Sequence, residues 1–195
     1  MTTYSMSEFI TDVCAINAED LSPGRALEKI APLARRIAGE SDWMEERFRQ
    51  YDPEQGMGIN LIHDGPDGPM ISTVCWRPGF TVLPHDHQTW ACIIGIEGVE
   101  RNIGWRRLDD GSRAGYAELE HAGEVVMRHG TLCTLLPHEI HSVHNEGETT
   151  SLSLHIYGRS LNRVARNEFV PEENIVRPCP QRKRMGGRGG KQCQI

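Results

Sequence analysis

The hydrophobic positions of this chain change period partway along it. Over residues 7 to about 50 they recur at helical spacing: Leu27, Ile30, Leu33 and Ile37 fall roughly on one face, and Ser22-Pro23 supplies a cap and a first turn. Pro32 removes an amide donor inside this stretch and predicts a break into two short helices. Ser41-Asp42 opens a third segment, in which Trp43, Met44 and Phe48 form the buried side and Glu45, Glu46, Arg47 and Arg49 the wet one. From about Ile59 the pattern becomes short runs of β-branched and apolar residues, separated by turn clusters at 63–69, 77–79, 109–115 and 145–150. These predict strands near 59–63, 70–76, 81–87, 90–96, 99–107, 115–119, 124–128, 131–136, 140–145 and 150–157, a spacing that suits a small barrel or sandwich. The chain is thus read as mainly β with N-terminal helices. Its core is expected from Ile71, Val74, Trp76, Val82, Ile93, Ile94, Val125, Leu132, Leu135 and Leu152.

Length and charge narrow the picture. At 195 residues the chain has the size of one domain with tails, which argues against a two-lobed cofactor enzyme. No apolar run is long enough to cross a bilayer, and the start, MTTYSMSEFI, lacks the basic region and apolar core of a secretory signal. The six Cys form no CxxC pair or regular framework. A cytoplasmic location without a membrane partner is expected. From Arg177 onward there are six Lys/Arg and no acid, so this tail carries +6 and, the whole being −6, residues 1–176 carry −12. An acidic body is not built to bind nucleic acid, and the Gly-rich basic tail, 177–195, has a composition expected to be disordered or loosely docked. The organisation expected is therefore one domain over 1–176, helical over 1–50 and a barrel over 59–170, followed by that tail.

The chemistry concentrates in two segments, PHDH (84–87) and PHEIHSVHN (137–145). Alternate side chains of a strand point the same way, so His85 and His87 can present two imidazoles to one point, and His141 supplies a third from a later strand. Nine His occur in all, and His63, His121, His129, His138 and His144 are assigned to loops or outward faces. Residues 88–95 contain no carboxylate, so the expected metal set is three neutral histidines. Such a site leaves the ion's charge uncompensated and adjacent positions open, which favours a thiolate together with O₂ on iron; zinc with an activated water is the alternative. In the strand 150–157, Ser153, His155 and Tyr157 share one face and Leu152, Leu154 and Ile156 the other. The polar row reads as a proton relay in which the imidazole orients the phenol.

Taken together, PHDH, His141 and SxHxY resemble the cysteine dioxygenase family of thiol dioxygenases in the cupin superfamily, over roughly residues 40–170. The resemblance implies a cupin barrel with N-terminal helices and one mononuclear Fe(II) per chain, held by His85, His87 and His141. It also implies an outer triad of Ser153, His155 and Tyr157, and oxidation of a small thiol carboxylate by O₂ to the sulfinate. The Glu that follows HxH in the general cupin motif is missing here, as it is in thiol dioxygenases. Members that oxidise cysteine resemble one another in an Arg early in the β region, where this chain has Ile59. In the branch resembling 3-mercaptopropionate dioxygenases the carboxylate clamp is an Arg after the SxHxY strand; Arg166, nine residues beyond Tyr157, fits, with Arg159 and Arg163 as competitors. Cys92 stands seven residues after His85, as does the Cys that cross-links to the active-site Tyr in animal cysteine dioxygenases. This makes Cys92–Tyr157 a candidate thioether, although its strand parity is opposite to that of His85 and His87. The rival readings are a zinc or manganese cupin hydrolase or isomerase, and a non-catalytic cupin that binds a metal or small ligand.

Overall fold

In the computed structural model, which describes residues 3–66 and 68–185, two N-terminal helices precede a barrel of antiparallel strands. Helix α1 (Met6–Asn17) starts where Ser5 accepts the Glu8 amide and Glu8 answers the Ser5 amide, a reciprocal cap that satisfies two orphan donors. Helix α2 (Pro23–Ala38) begins with proline in its first turn, where the missing amide costs nothing. It runs unbroken through Pro32, contrary to the predicted break. The pyrrolidine ring faces solvent, and burial of Ala26, Leu27, Ile30, Ala34 and Ile37 on the opposite side outweighs the one lost hydrogen bond. The third expected helix is a single 3₁₀ turn, Glu46–Arg49, which drops Phe48 into the core.

Among the described residues eleven strands follow. One sheet contains β1 (Met57–Asp64), β2 (Met70–Trp76), β4 (Ala91–Glu97), β7 (Leu132–Leu135) and β9 (Ser151–Tyr157), in the order β1-β2-β9-β4-β7. The other contains β3 (Thr81–His85), β5 (Glu100–Arg107), β6 (Leu119–Met127), β8 (Ile140–His144), β10 (Asn167–Val170) and β11 (Ile175–Pro178), in the order β11-β10-β3-β8-β5-β6. From β2 to β5 each successive strand changes sheet, so the two sheets are wound together as a jelly roll. The mainly-β barrel with N-terminal helices is the fold. Strand β6 merges two of the predicted strands, while β10 and β11 lie beyond the ten that hydrophobic patterning reveals.

Strand alternation partitions the interior. Leu152, Leu154 and Ile156 of β9 join Cys92 and Ile94 of β4 and the apolar faces of α1 and α2 in one cluster, so the helices cap the outside of the first sheet. The inward residues of the same strands, with the second sheet, enclose a pocket. Of the expected core, Val125 is the exception: on β6, at the margin of its sheet, it is 38% exposed. The expected loose tail is ordered as far as Met185. Beyond β11 the chain crosses the pocket mouth and meets β1, where Arg184 bridges to Ile59 and the Met185 amide donates to the Ile59 carbonyl. Residues 186–195 of that tail lie outside the described residues. No described helix is long and apolar enough to cross a membrane.

Candidate metal centre

The pairing of β3 with β8 puts His85 directly opposite His141. His87 follows β3 in a turn, and its direction is fixed by the residue between the two histidines. Asp86 is buried and points the other way, accepting from the Asn167 amide (2.9 Å), Asn167 Nδ2 (2.7 Å) and Gln88 Nε2 (2.8 Å). This anchoring carboxylate lets the backbone turn while the two imidazoles stay together. Gln88 then takes a left-handed φ of 53°.

The three rings converge. Their centroids are 5.0 Å (His85–His87), 4.6 Å (His85–His141) and 4.9 Å (His87–His141) apart, and one nitrogen from each lies within 4.8 Å of the others. Two rings are oriented from behind: His85 Nδ1–H donates to the Leu83 carbonyl (2.9 Å), and His141 Nδ1–H donates to Asn102 Oδ1 (2.9 Å). Each therefore keeps its Nε2 lone pair free. His141 Nε2 and His87 Nδ1 are buried without any hydrogen-bond partner, a costly state for an imidazole nitrogen unless something binds it. Burial pushes His85 down to about 4 and holds His87 and His141 well below the usual imidazole range, with neighbouring rings adding to the effect at the latter two. At neutral pH all three are uncharged, each able to offer a lone pair to an ion. Among the described residues no carboxylate joins the cluster. The donor set therefore fits a divalent transition metal held by three imidazoles.

Beside it runs the polar row of β9. Ser153 Oγ lies 3.0 Å from His155 Nε2, and His155 Nδ1 lies 2.8 Å from the Tyr157 hydroxyl. The three are buried rather than solvated, and the phenol ring lies 5.1 Å from that of His87. Burial pushes His155 down to about 3 and the Tyr157 phenol far up, so both are neutral. Met70, Val74 and Leu161 are among the apolar residues that line the rest of the pocket.

Arg166 also lines this pocket, and its guanidinium has no hydrogen bond or ion pair among the described residues; its charge helps depress His85 and His87. Arg159 is exposed, and Arg163 donates to the Gly65 carbonyl (3.2 Å); neither lines the pocket. Ile59 is in the wall. Cys92 pairs with Ile156 in the register of β4 and β9 and faces the helices, while Tyr157 pairs with Ala91 and faces the pocket. A thioether between them would require one strand to turn over, so the candidate cross-link has no geometry here.

Sequence reasoning missed four residues. Glu100 and Asn102 are buried on β5 behind the histidines; their i, i+2 spacing, with Arg101 outward, was an available sign of inward polar positions. Arg182 and Arg184 reach the pocket from the stretch that composition assigns to a tail, and pair with Glu168 (3.4 Å) and Asp64 (3.1 Å).

No family model matches the sequence. Among solved structures the chain is similar to oxalate oxidase in complex with glycolate (18% identity, TM-score 0.44), covering 63% of this chain and 62% of that one. It is also similar to an uncharacterized protein with a double-stranded β-helix domain from Klebsiella pneumoniae (11%, TM-score 0.46; 66% and 92% covered). A third is hydroquinone 1,2-dioxygenase in complex with Cd²⁺ and 4-hydroxybenzonitrile (12%, TM-score 0.46; 65% and 76% covered). The chain thus spans less than two thirds of the oxalate oxidase chain.

Proposed function

We propose that the protein is an Fe(II)-dependent thiol dioxygenase acting on a small thiol carboxylate. The observation that carries this reading is a set of three neutral imidazoles without a carboxylate, sharing one pocket with an unpaired Arg166 and the Ser153–His155–Tyr157 row. A ferrous ion held by His85, His87 and His141 would supply one-electron chemistry and the Lewis acidity that keeps a substrate sulfur deprotonated. The net reaction is R–SH + O₂ → R–SO₂⁻ + H⁺, with both oxygen atoms added to sulfur.

The chain's own groups account for the rest. A three-histidine site brings no negative charge of its own, so it favours an anionic sulfur donor. Arg166 offers a planar fork to the substrate carboxylate in a pocket whose apolar walls strengthen that pairing. Tyr157, kept protonated by burial, holds a proton at its oxygen beside His87. The substrate carboxylate and the Tyr157 hydroxyl together fix which way the thiol end faces.

The test is anaerobic reconstitution with Fe(II) followed by O₂ uptake with 3-mercaptopropionate, cysteine and mercaptosuccinate, and with Arg166→Ala in parallel. Sulfinate formed in a one-to-one ratio with O₂ supports the reading, and Arg166→Ala is expected to raise KM about 10- to 100-fold, the worth of a charge-assisted pair. Absence of thiol turnover by the iron-loaded protein would rule it out. An unchanged KM in Arg166→Ala would remove the arginine from substrate binding.

A further inference from the structure

Glu100 is a buried group that this reading leaves unused. It is 3% exposed, and the groups around it are polar but uncharged. Its carboxyl oxygens accept from Ser151 Oγ (3.0 Å), Ser153 Oγ (3.1 Å) and Asn102 Nδ2 (3.4 Å). Through Asn102 it stands behind His141, and through Ser153 it stands behind His155 and Tyr157. Glu100 is the node where the two networks of the pocket meet.

Counting donors leaves two arrangements of this chain. The Ser153 hydroxyl has one proton and two lone pairs, and Trp76 Nε1–H donates to it at 3.3 Å, filling one lone pair. An ionised Glu100 can only accept, so Ser153 donates to it. The second lone pair then receives the Nε2–H of His155, Nδ1 of that neutral ring becomes an acceptor, and the Tyr157 hydroxyl donates backward to it. A protonated Glu100 that donates to Ser153 reverses every link. Ser153 then donates to His155 Nε2, His155 Nδ1–H donates to the Tyr157 oxygen, and the phenol proton is released toward the three histidines.

We propose that Glu100 is a positioning residue that sets the direction of the Ser153–His155–Tyr157 hydrogen-bond chain, and so decides whether Tyr157 faces the pocket as a donor or as an acceptor. The consequence for thiol oxidation rests on the function proposed above; the reversal itself does not. Burial pushes the Glu100 carboxyl up to about 7 against the opposing pull of Ser151, Ser153 and Asn102, so both forms are populated near neutrality. His155, pushed by burial to about 3, stays neutral over that range and can respond only by changing tautomer. The other titratable groups whose charge Glu100 senses are the Cys75 thiol of β2, on the helix side of the sheet, and the Cys133 thiol of β7, both raised by burial to about 11 and therefore uncharged. Beyond Asn102 lies His141 of β8, also neutral. On its own strand, Arg101 turns outward to Glu124 and Glu146.

Long-range ¹⁵N–¹H spectra of the imidazoles in the full chain, with and without zinc as a diamagnetic occupant, test this directly. His155 is expected to carry its proton on Nε2 at high pH and on Nδ1 at low pH, with a midpoint close to the Glu100 value of about 7. Glu100→Gln should abolish the transition, leaving one tautomer throughout. Ser153→Ala, which cuts the link and leaves the carboxyl in place, should also uncouple the ring while a ¹³C carboxyl titration still reports Glu100. A His155 tautomer that is constant in the wild type, or that changes at the same midpoint in Glu100→Gln, overturns the proposal. In the iron-loaded protein the pH profile of kcat should share the spectroscopic midpoint and lose it in Glu100→Gln. If the tautomer reverses in a protein that oxidises no thiol, only the function reading falls; if thiols are oxidised while the tautomer stays fixed, only this inference falls.

Discussion

Acidifying the metal-free protein from about pH 7.5 to about 5.5 should cost it roughly 3–4 kcal/mol of stability, and the size follows from which buried groups titrate. His87, His141 and His155 are all buried, and burial, joined by neighbouring imidazoles, keeps their folded pKa values far below the unfolded value of about 6.5. Within this window the unfolded chain takes up about one proton at each ring and the folded chain takes up almost none. Stability is therefore full above about pH 6.5 and falls as the pH drops, by roughly 4 kcal/mol for the three rings together. His85, lowered to about 4, also stays unprotonated in the folded chain over this window and adds about as much as each of the other rings. Glu100 works in the opposite direction. Its folded value of about 7 exceeds that of a free carboxyl, so as the pH falls the folded state gains the proton first, returning about 2 kcal/mol. The carboxylates held low by surface partners, such as Glu8 and Asp109, lose their contribution only below this window. Urea unfolding at stepped pH, followed by the fluorescence of the four tryptophans, measures the net loss. Glu100→Gln should steepen it by about 2 kcal/mol, since the opposing proton uptake is gone. A urea midpoint that holds steady or rises on acidification would refute the assignment of these rings as buried and neutral.

Three further outcomes are expected. His141→Ala should weaken binding of a divalent metal by more than about 100-fold in competition with a chromophoric chelator, because losing a ligand exceeds losing its supporting hydrogen bond; equal affinity would remove His141 from the site. Gly58→Ala places a Cβ 1.9 Å from the Gln50 carbonyl oxygen, a backbone atom that cannot swing aside, and should lower stability by about 3 kcal/mol; an unchanged urea midpoint counts against this packing. Exposure to iron, O₂ and thiol should leave the intact mass without the two-hydrogen loss of a thioether, because Cys92 and Tyr157 lie on opposite faces of their sheet; a mass lower by that amount would show that the strands can turn over.

What was legible in the sequence was whatever follows from local period. The alternation of β9 separates Ser153, His155 and Tyr157 from Leu152, Leu154 and Ile156 by pleat alone, and the same rule joins His85 to His87 and warns about Cys92. The arrival of His141 beside His85 depends on pairing between strands more than fifty residues apart, which spacing suggests and only the fold supplies. Pro32 illustrates a local rule overridden by tertiary burial, since the helix persists for the sake of its packed face. Val125 shows the reverse error, an apolar residue exposed because its strand is at the margin of the sheet. Arg182 and Arg184 were hidden by composition: a basic, glycine-rich stretch reads as unable to order itself, but here it borrows order from β1.

The crossing of the pocket mouth by residues 179–185 bears on how the protein is made. A ribosome delivers a chain from its first residue onward, so the histidines and the relay emerge and can fold while this segment is still in the exit tunnel. The site therefore begins life as an open bowl and acquires this wall after the others. A proteolytic cut just ahead of Cys179 would free this newest piece of the cavity, leaving the barrel strands in place while changing what the pocket admits.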